Sequence, residues 1–349
     1  MTTQVGQTRM ETSADLSKRQ PVSKHAATLV SVCIVNYNNR ELLARCLESV
    51  FAQSRDVQFE VLVADNGSTD DSLTWLKREH PDVRLFENTN IGFSRANNQL
   101  IRHARGSMIL LLNNDCVLGK DTIQELLALM ETDPKIGIVG CRILTADGIL
   151  QPTFSTISPR QFFFPSPVER YQTNLLTFGK DRDRRIRIMK SYEVRHGYDR
   201  LLEVDWLSGV CILIRCEVFD TIGALDENFF MYYEDIDFCL RARKVGWRVM
   251  YTPSASALHF VRRLSEKRSA DRLMTEARLG QYYFVRKHFG RSWAGLLLLR
   301  YLLQLLISPL FAFGRVFRAL LQRRPFSPRL GWQTEALRRI LVDRGECRP

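Results

Sequence analysis

The 349-residue chain has no GxxxxGK[ST] loop and no GxGxxG turn after its first apolar strand. The backbone cradles of P-loop nucleotidases and dinucleotide-dependent oxidoreductases are therefore missing, so any phosphate it binds must be neutralised in another way. Its eight cysteines include no CxxC pair and no zinc-type spacing, and several sit inside apolar, strand-like runs. They read as small core residues of a protein kept in a reducing compartment. Residues 1–28 are polar and lack the apolar core of a secretory signal, which predicts an unexported protein whose active region faces the cytoplasm. No internal repeat is visible. Acidic charge is scarce only toward the carboxyl end, where residues 262–349 hold 19 Lys and Arg against 6 Asp and Glu, although the whole chain is only +12. The first 261 residues are thus near neutral, and any anionic partner belongs to the tail.

What is present is an alternation of apolar strands and amphipathic helices. The pattern predicts strands over residues 29–35, 60–64, 83–86 and 108–112, with helices over 40–53, 72–80, a stretch ending at His103, and 121–131. Asp70 or Ser72 can cap the second helix. Elements of this length and order imply an α/β protein with a mostly parallel sheet covered by helices on both faces. Periodicity fades over residues 151–200 into Pro, Phe, Ser and Arg, which predicts a flexible insertion, and the charge run at 180–190 reads as a solvated face. Order resumes with strands at 210–214 and 248–251 and helices at 217–222 and 233–244. The expected organisation is a disordered extension (1–28), one α/β domain (29–261) containing the insertion, and a basic, apolar helical tail (262–349).

Ligands of such sheets sit beyond the carboxyl ends of the strands, which is where Asn36, Asp65 and Asp115 fall. A single Asn or Asp there is ordinary turn chemistry, but three successive strand ends argue for a site. A nucleotide diphosphate bound there needs a basic group or a divalent cation, and Asp115 is the best protein ligand for Mg²⁺ or Mn²⁺. His259 closes another apolar run and is either a second ligand or a structural histidine. Glu234, Asp235 and Asp237 place three acids within four residues at a helix start. Crowding raises their proton affinity and suits one of them to act as a base, while the helix dipole accounts for others.

The ordered set Val32-Cys33-Ile34-Val35-Asn36-Tyr37-Asn38, Val63-Ala64-Asp65-Asn66-Gly67-Ser68-Thr69-Asp70, Asn90-Ile91-Gly92-Phe93, Leu112-Asn113-Asn114-Asp115, Trp206-Leu207-Ser208-Gly209 and Glu234-Asp235-Ile236-Asp237 resembles family 2 glycosyltransferases, nearest to their bacterial rhamnosyltransferase-like branch. The likeness spans about residues 30–260. It implies a GT-A fold and an inverting, metal-dependent transfer from a nucleotide-diphospho sugar to a lipid-linked or cell-envelope glycan acceptor. It also implies that Asn36, Asp65, Asn90 and Asn114 bind the donor nucleotide, that Asp115 and His259 hold the metal, and that Asp235 is the general base. Trp206, Ser208, Gly209 and Glu234 would then line the sugar and acceptor, with Trp206 as plain core the alternative. The chain departs from the family pattern at Asn113, which replaces the first acid of DxD. It also lacks the QxxRW sequence of processive synthases, which implies addition of one or a few sugars. A glycosyltransferase-fold scaffold without turnover is the competing functional class.

Within the tail, residues 293–313 are strongly apolar and are followed by Arg315, Arg318, Arg323 and Arg324. Apolar beside basic favours an anionic membrane surface over nucleic acid, for which aromatic-basic interleaving is poor. At ~1.5 Å per residue the stretch is just long enough to span a bilayer, but Arg300 and Gln304 lie inside it and Pro309 should break or kink it. An interfacial helix, a span, and a packing or homo-oligomer helix all remain open. The expected location is the cytoplasmic face of the cell membrane, peripheral or monotopic.

Overall fold

The structure, a computed structural model, describes residues 29–163, 182–260, 267–321 and 331–342. The chain runs β1 (Leu29–Asn36), α1 (Arg40–Phe51), β2 (Gln58–Asp65), α2 (Ser72–Glu79), β3 (Arg84–Glu87), α3 (Phe93–His103), β4 (Met108–Asn113), β5 (Cys116–Leu118), α4 (Thr122–Glu131) and β6 (Ile136–Thr145). It continues with α5 (Arg182–His196), β7 (Leu202–Glu203), β8 (Cys211–Arg215), α6 (Cys216–Ile222), α7 (Glu234–Lys244), β9 (Arg248–His259), α8 (Lys267–Phe289), α9 (Arg291–Leu321) and α10 (Gly331–Val342). The extension 1–28, the charge run's first residues, the arginines at 323 and 324, and Cys347 lie outside the described residues.

Nine strands form one sheet in the order β3-β2-β1-β4-β8-β6-β9-β5, with β7 also on β9. β1 is buried over almost its whole length because both faces of the sheet are covered, which is why it reads as an unbroken apolar run. On one face α1, α2 and α4 bury Leu43, Leu47, Leu76, Ile123 and Leu126. On the other, α3, α6 and α7 bury Leu100, Phe219 and Phe238. The longest ladders, β1–β2, β1–β4 and β6–β9, are parallel, but β8 runs antiparallel to both β4 and β6, and β5 and β7 run antiparallel to β9. Neither Asp70 nor Ser72 caps α2 as expected: the N-cap is Asp71, which makes no side-chain capping bond, and Asp70 Oδ1 instead accepts the Ser72 N–H at 3.1 Å in the turn that precedes the helix.

Register, more than any loop, builds the site. Pairing of β1 with β2 sets Asn36 beside Asp65, and pairing with β4 sets Val35 beside Asn113. The antiparallel β4–β8 ladder brings residues 209–210 to the same end, and β5–β9 pairing sets His259 opposite Cys116, next to Asp115.

The tail is a packed unit. α8, α9 and α10 share a third apolar cluster that includes Leu279, Phe284, Leu297, Tyr301, Leu337 and Ile340, and that reaches Phe229 and Phe162 of the α/β domain. Gly290 joins α8 to α9 at φ 91°, the left-handed turn that ends a helix most cheaply with glycine. α9 continues past Pro309, so the proline does not end it. Its inner side buries Ala294, Leu297 and Tyr301, while Leu296, Leu299, Leu303 and Leu306 form an exposed stripe, Leu306 being 71% accessible. Among the described residues no helix is long and apolar enough to cross a membrane.

Candidate active site

At the parallel end of the sheet the polar side chains satisfy one another. Asn36 Nδ2 donates to Asp65 Oδ2 at 3.0 Å and to Ser68 Oγ at 3.2 Å, and Asn36 Oδ1 accepts from Asn114 Nδ2 at 2.7 Å. The Ser68 N–H closes on Asp65 Oδ1 at 2.8 Å. Three strand ends are thereby tied through the fully buried Asn36. Asn90 stands one step away, its Oδ1 3.4 Å from Asn66 Nδ2, which also donates to the Gly92 carbonyl at 3.2 Å.

Beyond β4, Asp115 Oδ1 faces His259 Nε2 at 3.0 Å, and His259 Nδ1 lies 2.8 Å from Gln151 Oε1. Since Oε1 only accepts, the ring proton belongs on Nδ1, and a neutral imidazole then turns a lone pair toward a carboxylate. Two acceptors this close need a cation between them, either a proton or a metal ion. Their separation is about the edge between adjacent ligands of an octahedral ion with bonds of ~2.1 Å. Two residues before Asp115, at the end of β4, Asn113 Oδ1 is buried with no hydrogen-bond partner. Carboxylate and imidazole are donors that Mg²⁺ or Mn²⁺ accepts. Cys116 falls in the same group; burial first and Asp115 second push its thiol far up, and a soft sulfur donor suits Mg²⁺ or Mn²⁺ less well than the carboxylate does.

The antiparallel end is built differently. The turn before β8 presents the Gly209 N–H to Asp235 Oδ2 at 2.8 Å, and the Ile236 N–H holds the other oxygen at 2.8 Å. Burial raises the Asp235 carboxyl above its ordinary value against the pull of these two donors. Glu234 is 5% exposed, its Oε2 has no partner, and burial, then Asp235 and Asp237, push it well up. Asp237 goes the other way: burial opposes ionisation, but His288, Arg241 and Lys287 draw it down to about 2. Of the three clustered acids, Asp237 is a structural anion and the other two keep raised proton affinity. They follow Tyr232 and Tyr233, both at positive φ (71° and 73°), a strain of ~1–3 kcal/mol per residue.

The two ends meet. The Asn113 N–H donates to Val210 O at 3.0 Å, next to Gly209. The Asp115 carbonyl also accepts the Phe260 N–H at 2.8 Å, which fastens the end of β9 to this edge. Asp65, Asp115, His259 and Asp235 therefore share one edge of the sheet. Trp206 packs against the apolar cluster beneath, its Nε1 donating to Ser155 Oγ at 3.2 Å, and Ser208 uses its N–H on Thr153 O at 2.7 Å. Gln151, which orients His259, carries no motif and is missing from the sequence-based site.

An α/β sheet of this order, with carboxylates gathered along one edge, is the GT-A architecture. A mannosyltransferase from Pyrobaculum calidifontis, solved in complex with GDP-Man and Mn²⁺, superposes with a TM-score of 0.52 at 18% identity, over 94% of this chain and 92% of that one. The chain belongs to glycosyltransferase family 2, whose model, Glycosyl transferase family 2, matches residues 31–223, and it is a glycosyltransferase. An N-acetylglucosaminyl-diphospho-decaprenol L-rhamnosyltransferase of Mycobacterium tuberculosis is 30% identical over 280 residues, 75% of this chain and 86% of that one. A hexosyltransferase of low-salt glycan biosynthesis from Haloferax volcanii is 30% identical over 237 residues, 66% of each chain.

Proposed function

We propose that this glycosyltransferase is inverting, metal-dependent and non-processive, and that it moves a single sugar, rhamnose by likeness to the mycobacterial relative, from a nucleotide-diphospho donor to a lipid-linked or cell-envelope glycan. The observation that carries this reading is the placement of a raised, backbone-held carboxylate, Asp235, on the same sheet edge as the facing pair Asp115 and His259. The nucleoside end of the donor lies along Asn36, Asp65, Asn90 and Asn114. Trp206, Ser208, Gly209 and Glu234 border the sugar and acceptor.

Asp235 takes the proton from an acceptor hydroxyl. The freed oxygen attacks the anomeric carbon as the bond to the diphosphate breaks, so one displacement inverts that carbon with no covalent enzyme intermediate. Asp115 and His259 would hold Mg²⁺ or Mn²⁺, which supplies positive charge to the leaving diphosphate. Gln151 fixes the imidazole for that task. The buried edge around Glu234 limits water, the competing nucleophile.

The exposed leucine stripe of α9 and the basic character of residues 262–349 support docking on the anionic, cytoplasmic face of a membrane, where a lipid-linked acceptor is concentrated. Truncation after Phe289 is expected to move the protein from the membrane to the soluble fraction, and unchanged fractionation would remove α9 from this role. The same tail supports pairing with a second copy as the other use of the stripe.

The test of function is a thermal-shift screen of nucleotide sugars with and without Mn²⁺, followed by donor turnover with and without EDTA. Stabilisation that needs both ligands, and turnover lost on chelation, are expected. Stabilisation without turnover would instead favour a non-catalytic scaffold.

A further inference from the structure

The loop that delivers the base is gripped by the carboxyl-terminal helix α8, and both lie beyond the residues 31–223 that the family model matches. Asp237, two residues beyond the base and 0% exposed, receives Lys287 Nζ at 2.6 Å and His288 Nε2 at 2.7 Å on its Oδ1. Lys287 also reaches Asp226 Oδ2 at 2.7 Å, and the Tyr283 hydroxyl donates to that oxygen at 3.0 Å, which ties down the start of the same loop. Between these anchors the guanidinium of Arg272 lies over the Phe230 ring at 4.9 Å. Gly280 faces the two left-handed tyrosines so closely that a methyl group there would stand 3.0 Å from the Tyr232 carbonyl oxygen and 3.3 Å from the Tyr233 ring. On the opposite side the Phe93 N–H holds Phe230 O at 2.7 Å.

Two consecutive tyrosines at positive φ persist only where the surroundings over-determine them. Here the surroundings are α8 on one side and the start of α3 on the other. We propose that α8 is a positioning element of the catalytic site: through Lys287, His288 and Gly280 it holds the strained 226–233 loop, and with it Glu234 and Asp235, in the orientation that catalysis requires. The tail then has two jobs on two helices, with α8 serving the base and α9 serving the outer surface. Lys287, His288 and Gly280 make their contacts to the loop and to α7, on the side of the base and away from the Asn36–Asp65–Asn114 cluster. Their loss should therefore disturb the reacting geometry and leave donor binding intact.

The inference rests on Asp235 acting as the base, and the test separates the two ideas. Lys287→Met, Lys287→Arg and Gly280→Ala are compared with wild type in turnover of a nucleotide-diphospho-rhamnose and in amide hydrogen exchange over residues 230–237. Lys287→Met is expected to lower kcat ~100-fold, the cost of misplacing a reacting group by about an ångström, with the donor KM unchanged. Exchange should rise at residues 230–237 while the β1 and β4 amides keep their protection. Lys287→Arg should restore most of kcat, and Gly280→Ala should show the same pattern more weakly. Wild-type kcat in the folded Lys287→Met and Gly280→Ala variants would overturn the proposal. So would a loss of protection across the whole sheet with no split between kcat and KM. If wild type turned over no donor the functional reading would fail, and unchanged exchange at 230–237 would still sink the brace.

Discussion

Along the parallel half of the sheet edge, Asn36, Asp65, Ser68 and Asn114 use their hydrogen-bonding capacity on one another. Across the cleft, Glu234 and Asp235 lie buried with raised proton affinity, one carboxylate oxygen has no partner, and the backbone before them is strained. In the proposed reading the first arrangement binds the donor and the second, whose strain α8 and the sheet offset, carries the reaction, in keeping with the clustering of strained and pKa-shifted groups at reactive sites.

The largest effect is expected from Asp235→Asn, which should lower turnover roughly 10³-fold while donor affinity stays as in wild type. Equal losses in both would break the comparison, because the base would then belong to the binding half. Asn36→Ala should do the reverse: removing the hub that joins Asp65 to Asn114 costs about 1–3 kcal/mol in a buried network, read as a donor KM raised ~10-fold or more with kcat little changed. Smallest is Glu234→Gln. The folded protein holds the Glu234 proton more tightly than the unfolded chain does. The stability this gives is complete below the ordinary carboxylate range and is lost as pH rises through the folded-state value. A neutral amide escapes that loss, so the variant should melt ~2–4 °C higher at neutral pH for each kcal/mol regained. The advantage should vanish in acid, and an advantage independent of pH would remove the strain argument.

The parallel half was legible in the sequence because β1, β2 and β4 are apolar runs ending in Asn or Asp, and in-register parallel pairing turns strand ends into neighbours. Predicted strands fell within two residues of β1, β2, β3 and β4. The other half was harder. β6 lies in an apolar stretch outside the predicted elements, and β5 has only three residues. β9 runs eight residues past its expected end because 252–259 is rich in Ser, Thr and Ala, without the bulky alternation that marks a strand. The three acids looked equivalent in sequence. Only packing shows that Asp237 meets Lys287 and His288, some 50 residues away, as well as Arg241 one turn on, while Glu234 Oε2 has no hydrogen-bond partner. The tail's leucines left an interfacial, a spanning and a packing helix open in sequence; in the structure Leu296, Leu299, Leu302, Leu303 and Leu306 face outward while Leu297, Leu298 and Leu305 join a core with α8 and α10.

The most direct test of the division between halves is Mn²⁺ binding in the presence of UDP, followed by the paramagnetic resonance of the free ion, in wild type, Asp115→Asn and Asp235→Asn. Asp115→Asn is expected to weaken Mn²⁺ by ~10–100-fold or more, and Asp235→Asn to bind it as wild type does. Equal Mn²⁺ affinity in wild type and Asp115→Asn would contradict the account.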